Sequence, residues 1–283
     1  MSPELAVSAD RQTESLRKPF LMTHCARPDD VRLIFGGHSH CHAICRALIS
    51  ATDAGETADP RAASLAHGLA GLMGVGQGVD LRALMVALAQ HRDIALVWRG
   101  NQHNGDFLLM PGQVMDLLPR NYPDRSVLPG AQIVPELAIR AQFQNWADEL
   151  GGMLRDLGRV PGRQHVVVGT PPPLGDDDLV RRRLAREPAF GDRATALGFD
   201  LATIGIAPPS VRRKLWFVVQ ELMAETAAAH GALFVPSPEA AQGADGLLRV
   251  EMSGGDVSHA NERYGRLVIG DLAGQLAPQL AQA

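Results

Sequence analysis

Four short, continuous apolar runs, separated by longer helical patterns, constrain the fold of this chain more than any other feature. The runs are VRLIFG (31–36), IALVW (94–98), HVVVG (165–169) and ALFVP (232–236). A strand without polar alternation is typical of a parallel sheet that is covered on both faces. The sequence therefore predicts an α/β fold in which helices cover both faces of a mostly parallel sheet.

Amphipathic patterns between the apolar runs predict the helices. They cover residues 40–52, 80–91, 136–157, 211–230 and 261–277. Asp80 fits a helix N-cap and Gly231 fits the end of a helix before the last strand. Residues 63–74 fit a strand or a helix equally well.

Two segments interrupt this alternation, and a third precedes it. Residues 105–135 and 170–210 are rich in proline and glycine, and we expect them to be long loops that wall or cover a pocket. Residues 1–30 are predicted to be an N-terminal arm. Residues 31–283 are predicted to form a single domain.

The composition excludes several classes of protein. Hydrophobic residues make up 46% and charged residues 20% of the chain, and the formal net charge is −4. No concentrated basic face is predicted, so a nucleic-acid partner is not expected. No run of about 18 apolar residues is present, and the polar start is unlike a signal peptide. Cys25, Cys41 and Cys45 form no C-x-x-C pair, which favours packing roles and a cytoplasmic, reduced setting.

A serine follows the first apolar run, in LIFGGHSHCHAI (33–44). In open α/β sheets the reactive groups collect beyond the carboxyl ends of the strands. Ser39 occupies such a position, and backbone N–H groups of the following helix would point at whatever it attacks. The same position also suits an ordinary helix N-cap.

Two further polar groups are candidates for the same edge of the sheet. Asn101 and Asn104 lie in WRGNQHNG (98–105), where an amide could donate to an oxyanion or simply form a turn. Asp256 precedes His259 by three residues, just before the last helical pattern. This spacing lets a carboxylate orient an imidazole and stabilise its protonated form.

The order of these pieces resembles the SGNH (GDSL-type) hydrolase superfamily. DVSHANERYG is similar to that family's D-x-x-H-x-N-x-x-G-Y-type ending. FGGHSH stands where the family reads Gly-Asp-Ser, and RGNQHN stands where it reads Gly-x-Asn-Asp. The resemblance spans residues 31–275. It implies a three-layer α/β/α sandwich with a flavodoxin-like sheet, which hydrolyses or transfers acyl esters through a Ser-His-Asp triad.

The resemblance also implies roles for individual residues. Ser39 would be the nucleophile, His259 the base and Asp256 the orienting carboxylate. The oxyanion hole would use the Ser39 N–H, a glycine and an asparagine. Gly76 is preferred over Gly78 for the glycine. Asn101 is preferred over Asn104 for the asparagine.

Three more residues are expected to border the substrate. His38 replaces the aspartate that the family places beside the serine, and Arg99 replaces a usual glycine. The runs RRRLARE (181–187) and VRRK (211–214) are typical of solvated helix faces, but Arg212 could hold an anionic substrate group. The implied function is an esterase, such as an O-acetyl esterase, or an acyltransferase. It would act on a small-molecule or carbohydrate ester without a metal or organic cofactor.

Two other interpretations remain open at this point. His38, His40 and His42 could hold a metal, because imidazoles at i and i+2 on a strand point the same way. The candidate strands at 165–169 and 232–236, however, end in no further ligands. Alternatively, the motifs could stand on a catalytically inactive scaffold that binds a small molecule or a partner.

Overall fold

The computed structural model describes residues 20–23, 33–53, 69–73 and 80–280. Ten strands lie in these segments: β1 (Phe20–Thr23), β2 (Leu33–Gly37), β3 (Leu69–Met73), β4 (Asp93–Val97), β5 (Leu109–Met110), β6 (Met115–Asp116), β7 (Gln132–Ile133), β8 (His165–Val168), β9 (Gly205–Ile206) and β10 (Leu233–Val235). The four apolar runs are thus strands β2, β4, β8 and β10, as predicted. Residues 69–73 of the ambiguous 63–74 segment are a strand.

Eight α-helices lie in the same segments: α1 (Cys41–Asp53), α2 (Leu81–Ala89), α3 (Gln102–Phe107), α4 (Glu136–Leu157), α5 (Asp177–Leu184), α6 (Pro188–Ala196), α7 (Pro209–Ala229) and α8 (Glu262–Leu280). The five helices predicted from amphipathic patterns are α1, α2, α4, α7 and α8. Asp80 caps α2, since its carboxylate accepts from the Arg82 and Ala83 N–H groups. Among the described residues, no helix is both long enough and apolar enough to cross a bilayer.

The main sheet has the order β1-β3-β2-β4-β8-β10. Neighbours from β3 to β10 pair in parallel, whereas β1 pairs antiparallel with β3 at one edge. Numbered among the parallel strands alone, the order is 2-1-3-4-5, which is that of the flavodoxin-like fold. The predicted mostly parallel, flavodoxin-like sheet is confirmed.

Alternate residues of the central strands belong to two separate hydrophobic cores, one on each face of the sheet, so the fold has three layers. On one face Phe35 and Val97 pack with apolar residues of α1, α5 and α8. On the other face Ile34 and Leu96 pack with apolar residues of α2, α4 and α7. Burial on both faces explains why these strands lack the alternation of polar and apolar residues seen in half-exposed strands.

The two segments expected to be long loops carry regular structure, so that prediction is wrong in its detail. Residues 170–210 contain α5, α6 and β9, and residues 105–135 contain β5, β6 and β7. Helix α5 buries only Val180 and Leu184, and α6 buries only Ala194. Such narrow apolar faces give a weak periodic signal in the sequence.

The segment from β6 to β7 is fastened to α7 by a buried ion pair. Lys214 Nζ donates to both oxygens of Asp116 (2.8 and 3.1 Å) and to the Ser126 carbonyl (2.7 Å). Asp116 also accepts from the Leu117 and Leu128 N–H groups. Every donor and acceptor of this pair is therefore matched, as a buried charge requires.

Part of the predicted N-terminal arm belongs to the sheet. Phe20–Thr23 form β1, in register with Met73 back to Ala70. The remaining residues of 1–30, Cys25 among them, lie outside the described residues.

Candidate active site

The corner between β2 and α1 holds Ser39 at the carboxyl edge of the sheet. Parallel pairing sets Gly37 opposite Val97, and the His38 N–H donates to the Val97 carbonyl (3.0 Å). The next two residues turn, and the Cys41 and His42 N–H groups bond back to the His38 and Ser39 carbonyls. Ser39 is exposed, and its own N–H has no acceptor among the described residues. The serine thus presents both its hydroxyl and a free backbone donor.

A chain of hydrogen bonds joins Ser39 to the loop before α8. Ser39 Oγ lies 2.7 Å from His259 Nε2, and His259 Nδ1 lies 2.7 Å from Asp256 Oδ2. The serine and the histidine are 220 positions apart in sequence. A neutral His259 that donates from Nδ1 to the carboxylate leaves Nε2 free to accept the serine proton.

Asp256 is held as an anion by its local turn. One carboxylate oxygen accepts from the Ser258 N–H (2.9 Å) and the His259 N–H (2.7 Å), while the other accepts from the His259 ring. Partial burial alone would raise the pKa of Asp256. The hydrogen bonds from the ring and from the two N–H groups outweigh burial and hold this pKa well below its usual range. An ionised Asp256 can stabilise an imidazolium at His259.

The two candidate asparagines have different environments. Asn104 is buried, and its Nδ2 donates to the Val257 carbonyl (3.3 Å) and to Ser258 Oγ (3.2 Å). Asn101 is half-buried at the start of α3, and its side chain makes no capping bond and has no partner in the described part of the chain. Asn101 is therefore the amide that remains available to a ligand. Gly76 and Gly78 lie outside the described residues.

Comparison with known proteins gives matches in structure. No protein-family model matches the chain, and no curated protein matches its sequence. A protein assigned to the SGNH hydrolases from Slackia heliotrinireducens is 16% identical (TM-score 0.43), with 87% of this chain and 98% of that chain covered. The similarity to SGNH hydrolases is one of fold.

Two further solved structures are also similar to this chain. The periplasmic domain of a lipopolysaccharide acetyltransferase from Salmonella ser. Paratyphi A is 9% identical (TM-score 0.46), with 87% of this chain and 84% of that chain covered. An extracellular lipase from Streptomyces rimosus is 14% identical (TM-score 0.42), with 86% of this chain and 99% of that chain covered.

The three histidines of HSHCH do not form the alternating set that a metal site on a strand requires. Strand β2 ends at Gly37, before the first of them, and α1 begins at Cys41. The His38 ring packs edge-on against Trp98 (4.7 Å between centroids), whereas the His40 ring lies against His259 (4.8 Å). Among the described residues, no three His, Cys, Asp or Glu side chains are grouped as metal ligands would be.

Burial keeps these imidazoles neutral. Desolvation, with a smaller contribution from the positive Arg99, lowers the pKa of His38 to about 4. Desolvation and the neighbouring His259 and His103 lower the pKa of His40 to about 3. His42 is more open, and its pKa is lowered by partial burial and by Arg46. The SGNH resemblance places His38 where that family has an acid, so this site has a neutral ring beside its serine.

The two arginines predicted to touch the substrate have protein partners. Arg99 is exposed and pairs with Glu149 of α4 (3.4 Å). Arg212 is only 2% exposed, and its Nη2 donates to Asp177 (2.7 Å) and to the Gly175 carbonyl (3.2 Å). The interpretation of VRRK as a solvated face is wrong for Arg212, because this side chain turns inward at the first turn of α7.

Two charged residues that sequence reasoning treated as solvated contact the loop that carries Asp256 and His259. Arg183 and Glu187, both half-buried, bond to the backbone of Asp256 and Val257. His40, which contacts His259, was considered only as a metal ligand. The i,i+4 spacing of opposite charges in RRRLARE was a visible signal, but it is also the commonest pattern on an exposed helix.

Proposed function

We propose that this protein is a serine-dependent acyl-ester hydrolase or acyltransferase. The observation that carries the proposal is the unbroken hydrogen-bond chain from Ser39 through His259 to Asp256. An exposed hydroxyl bonded to an imidazole that is oriented by a carboxylate is the arrangement that activates a serine nucleophile. A serine acting only as a helix cap would need no imidazole partner.

In the first step Ser39 Oγ attacks the carbonyl carbon of the ester, and its proton moves to His259 Nε2. Asp256 stabilises the imidazolium that forms. The negative oxygen of the tetrahedral intermediate accepts from the Ser39 N–H and from the Asn101 amide. The intermediate then collapses, the alcohol leaves with the proton from His259, and an acyl-serine remains.

In the second step an acceptor hydroxyl attacks the acyl carbon of the acyl-serine while His259 Nε2 removes its proton. The tetrahedral intermediate collapses, the bond between the acyl carbon and Ser39 Oγ breaks, and Ser39 Oγ takes the proton back from His259. Water gives hydrolysis, and another alcohol gives transfer. The Asp256 and His259 side chains are 36% and 29% exposed, so either acceptor has access to the site. We further propose that the alcohol part of the ester is a sugar or another small polar molecule, which rests on the motif resemblance alone.

The test is reaction with a serine-directed phosphonate, followed by mass spectrometry, and hydrolysis of a short-chain aryl ester. The protein should gain one phosphonate at Ser39, and Ser39→Ala should lower kcat by at least about 10⁴-fold. The matched control is Ser50→Ala, which removes a hydroxyl that donates to the Arg46 carbonyl within α1. This control should keep both the labelling and the turnover.

Two results would contradict the proposal. One is turnover that survives Ser39→Ala but is lost reversibly on chelation, which would favour the histidine–metal interpretation. The other is a folded wild-type protein that neither reacts with the phosphonate nor hydrolyses any ester in a panel of acetylated sugars and aryl esters. That outcome would favour a binding protein.

A further inference from the structure

One peptide group of the loop before α8, which carries Asp256 and His259, is hydrogen-bonded at both its carbonyl and its N–H. The Asp256–Val257 peptide has its carbonyl bonded by Arg183 Nη1 (2.6 Å) and its N–H bonded to Glu187 Oε1 (3.0 Å). The positive side chain thus meets the carbonyl and the negative side chain meets the N–H, which are the favourable charge pairings. Arg183 Nη2 also reaches Ser253 Oγ (3.0 Å), further back in the same loop.

The two side chains come from the junction of α5 and α6, in the 170–210 segment: Arg183 belongs to α5, and Glu187 is the N-cap residue of α6. Arg183 lies in the last turn of the helix, and the turn continues because the Arg186 and Glu187 N–H groups bond to the Arg183 and Leu184 carbonyls. This turn brings the side chains of Arg183 and Glu187 to the same peptide group of the loop. Val180 and Leu184 anchor this helix in the core beneath.

These contacts are partly shielded from water, which strengthens charge-assisted hydrogen bonds. Arg183 and Glu187 are both half-buried. Desolvation lowers the pKa of Arg183, which Asp256 and Glu187 oppose. Desolvation and the nearby Asp256 raise the pKa of Glu187, and its bond from the Val257 N–H opposes that shift.

We propose that Arg183 and Glu187 are positioning residues, which set the place of Asp256 and His259 relative to Ser39. The inference rests on the proposed function. The Asp256 carboxylate binds the N–H groups of residues 258 and 259, so this turn moves as one unit. Its own bonds do not fix where the unit lies relative to the sheet. Val257 and Ala260 pack into the core, and Arg183, Glu187 and the Asn104 amide hold the loop from outside by hydrogen bonds.

The expected effect is on turnover rather than on substrate affinity. A displacement of about 1 Å in a catalytic group can cost about 10²-fold in rate, so Arg183→Ala should lower kcat by about that factor. Glu187→Ala should lower kcat by about 10-fold, since one bond is lost rather than two. KM for a small aryl ester should stay within about twofold, because neither side chain needs to touch the substrate. Glu187→Gln keeps an acceptor oxygen and should restore most of the turnover.

The control is Arg182→Ala, which removes an exposed positive charge from the same helix without a hydrogen bond to the loop. It should leave kcat unchanged. A second readout is the proton NMR signal of His259 Nδ1–H, which reports the bond to Asp256 directly. This signal should shift or broaden in Glu187→Ala and Arg183→Ala, recover in Glu187→Gln, and stay as in the wild type in Arg182→Ala.

Folded Arg183→Ala and Glu187→Ala proteins with wild-type kcat and an unchanged Nδ1–H signal would overturn the inference. So would a Glu187→Gln variant as impaired as Glu187→Ala. If Arg183→Ala does not fold, the two Glu187 variants decide the question alone. Failure of the proposed function would show differently, as a wild-type protein without Ser39 labelling, and the NMR signal would still test the positioning.

Discussion

The hydrogen-bonded series Ser39–His259–Asp256 has two ends that are held in different ways: the serine end, which is Ser39, and the histidine end, which is His259 with Asp256. Ser39 lies two residues beyond a buried strand, and its backbone is set by the pairing of Gly37 with Val97 and by the first turn of α1. Asp256 and His259 lie in an irregular loop between a 3₁₀ turn (Val250–Met252) and α8. That loop is held by side chains from α3, from α5 and from the N-cap of α6.

This difference predicts two kinds of failure. The serine end shares its backbone hydrogen bonds with the central sheet, so damage there should lower the free energy of unfolding. The histidine end depends on a few side-chain hydrogen bonds, each worth about 0.5–1.5 kcal/mol, so damage there should misplace the base while the fold persists. Stability and turnover should therefore separate according to which end is changed.

Among the variants that compare the two ends, the largest expected effect distinguishes the two asparagines. Asn101→Ala removes an amide that makes no internal bond, so the protein should fold normally and lose about 10²–10³ in kcat as an oxyanion donor is lost. Asn104→Ala removes the bonds to Val257 and Ser258 and should lower kcat by only about 10-fold, with some loss of stability. Steady-state kinetics with an aryl ester and thermal unfolding of both variants measure this difference.

The reverse result would reassign the oxyanion donor. If Asn104→Ala carries the large loss and Asn101→Ala is silent, Asn104 must leave the loop when substrate binds. Silence in both variants would leave the oxyanion without a side-chain donor.

The next prediction breaks the serine end through its backbone. A Cβ added to Gly37 would lie 2.1 Å from the Val97 carbonyl oxygen, so Gly37→Ala must push two paired strands apart. We expect a loss of about 3 kcal/mol in the free energy of unfolding. Gly36→Ala is the matched control, since its Cβ would meet the Sδ and Cε atoms of the flexible Met85 side chain and should cost about 1 kcal/mol. Denaturant titration compares them, and equal costs would contradict the proposed dependence on strand pairing.

Much of the fold was predictable because its signals are local. Continuous apolar runs identified β2 and β8, and 3.6-residue periodicity identified long helices such as α4 and α7. The four-residue strand β1 and the narrow helices α5 and α6 were missed, since their apolar faces are too small to produce a periodic pattern. Tertiary contacts decide such elements more than their own sequence does.

The candidate site also contains residues that were predictable from the sequence and residues that were not. Ser39, Asp256 and His259 could be proposed together because each stands in a short motif next to a strand or helix end, and the structure places them within hydrogen-bond distance of one another. The pairing of Arg183 and Glu187 with one peptide group was not predictable, because an i,i+4 charge pair looks the same on an exposed helix and against a loop. The inward direction of Arg212 had no sequence signal either. An arginine in a helix does not by itself indicate whether its side chain faces solvent or packs against the rest of the protein.

The smallest expected effect concerns His40, which connects the two ends: it follows Ser39 in the chain, and its ring contacts His259. Folding lowers the pKa of His40 from 6.5 to about 3, chiefly through burial, so below pH 6.5 the unfolded chain binds a proton that the folded chain does not. The free energy of unfolding must therefore fall as pH falls through this window, with a slope of up to about 1.4 kcal/mol per pH unit from this one group. Buried His103, whose pKa is lowered to about 4, should add to the slope over much of the same range.

His40→Phe keeps a ring against His259 but removes the titrating group, so the slope between pH 6 and pH 4 should decrease by about one proton equivalent. Denaturant titrations of both proteins across this range measure the slope, and comparison at pH 8, where His40 is neutral in both states, isolates the packing cost of the substitution. An unchanged slope in His40→Phe would mean that His40 takes up its proton in the folded protein, and that the two ends of the site are not joined by a neutral ring.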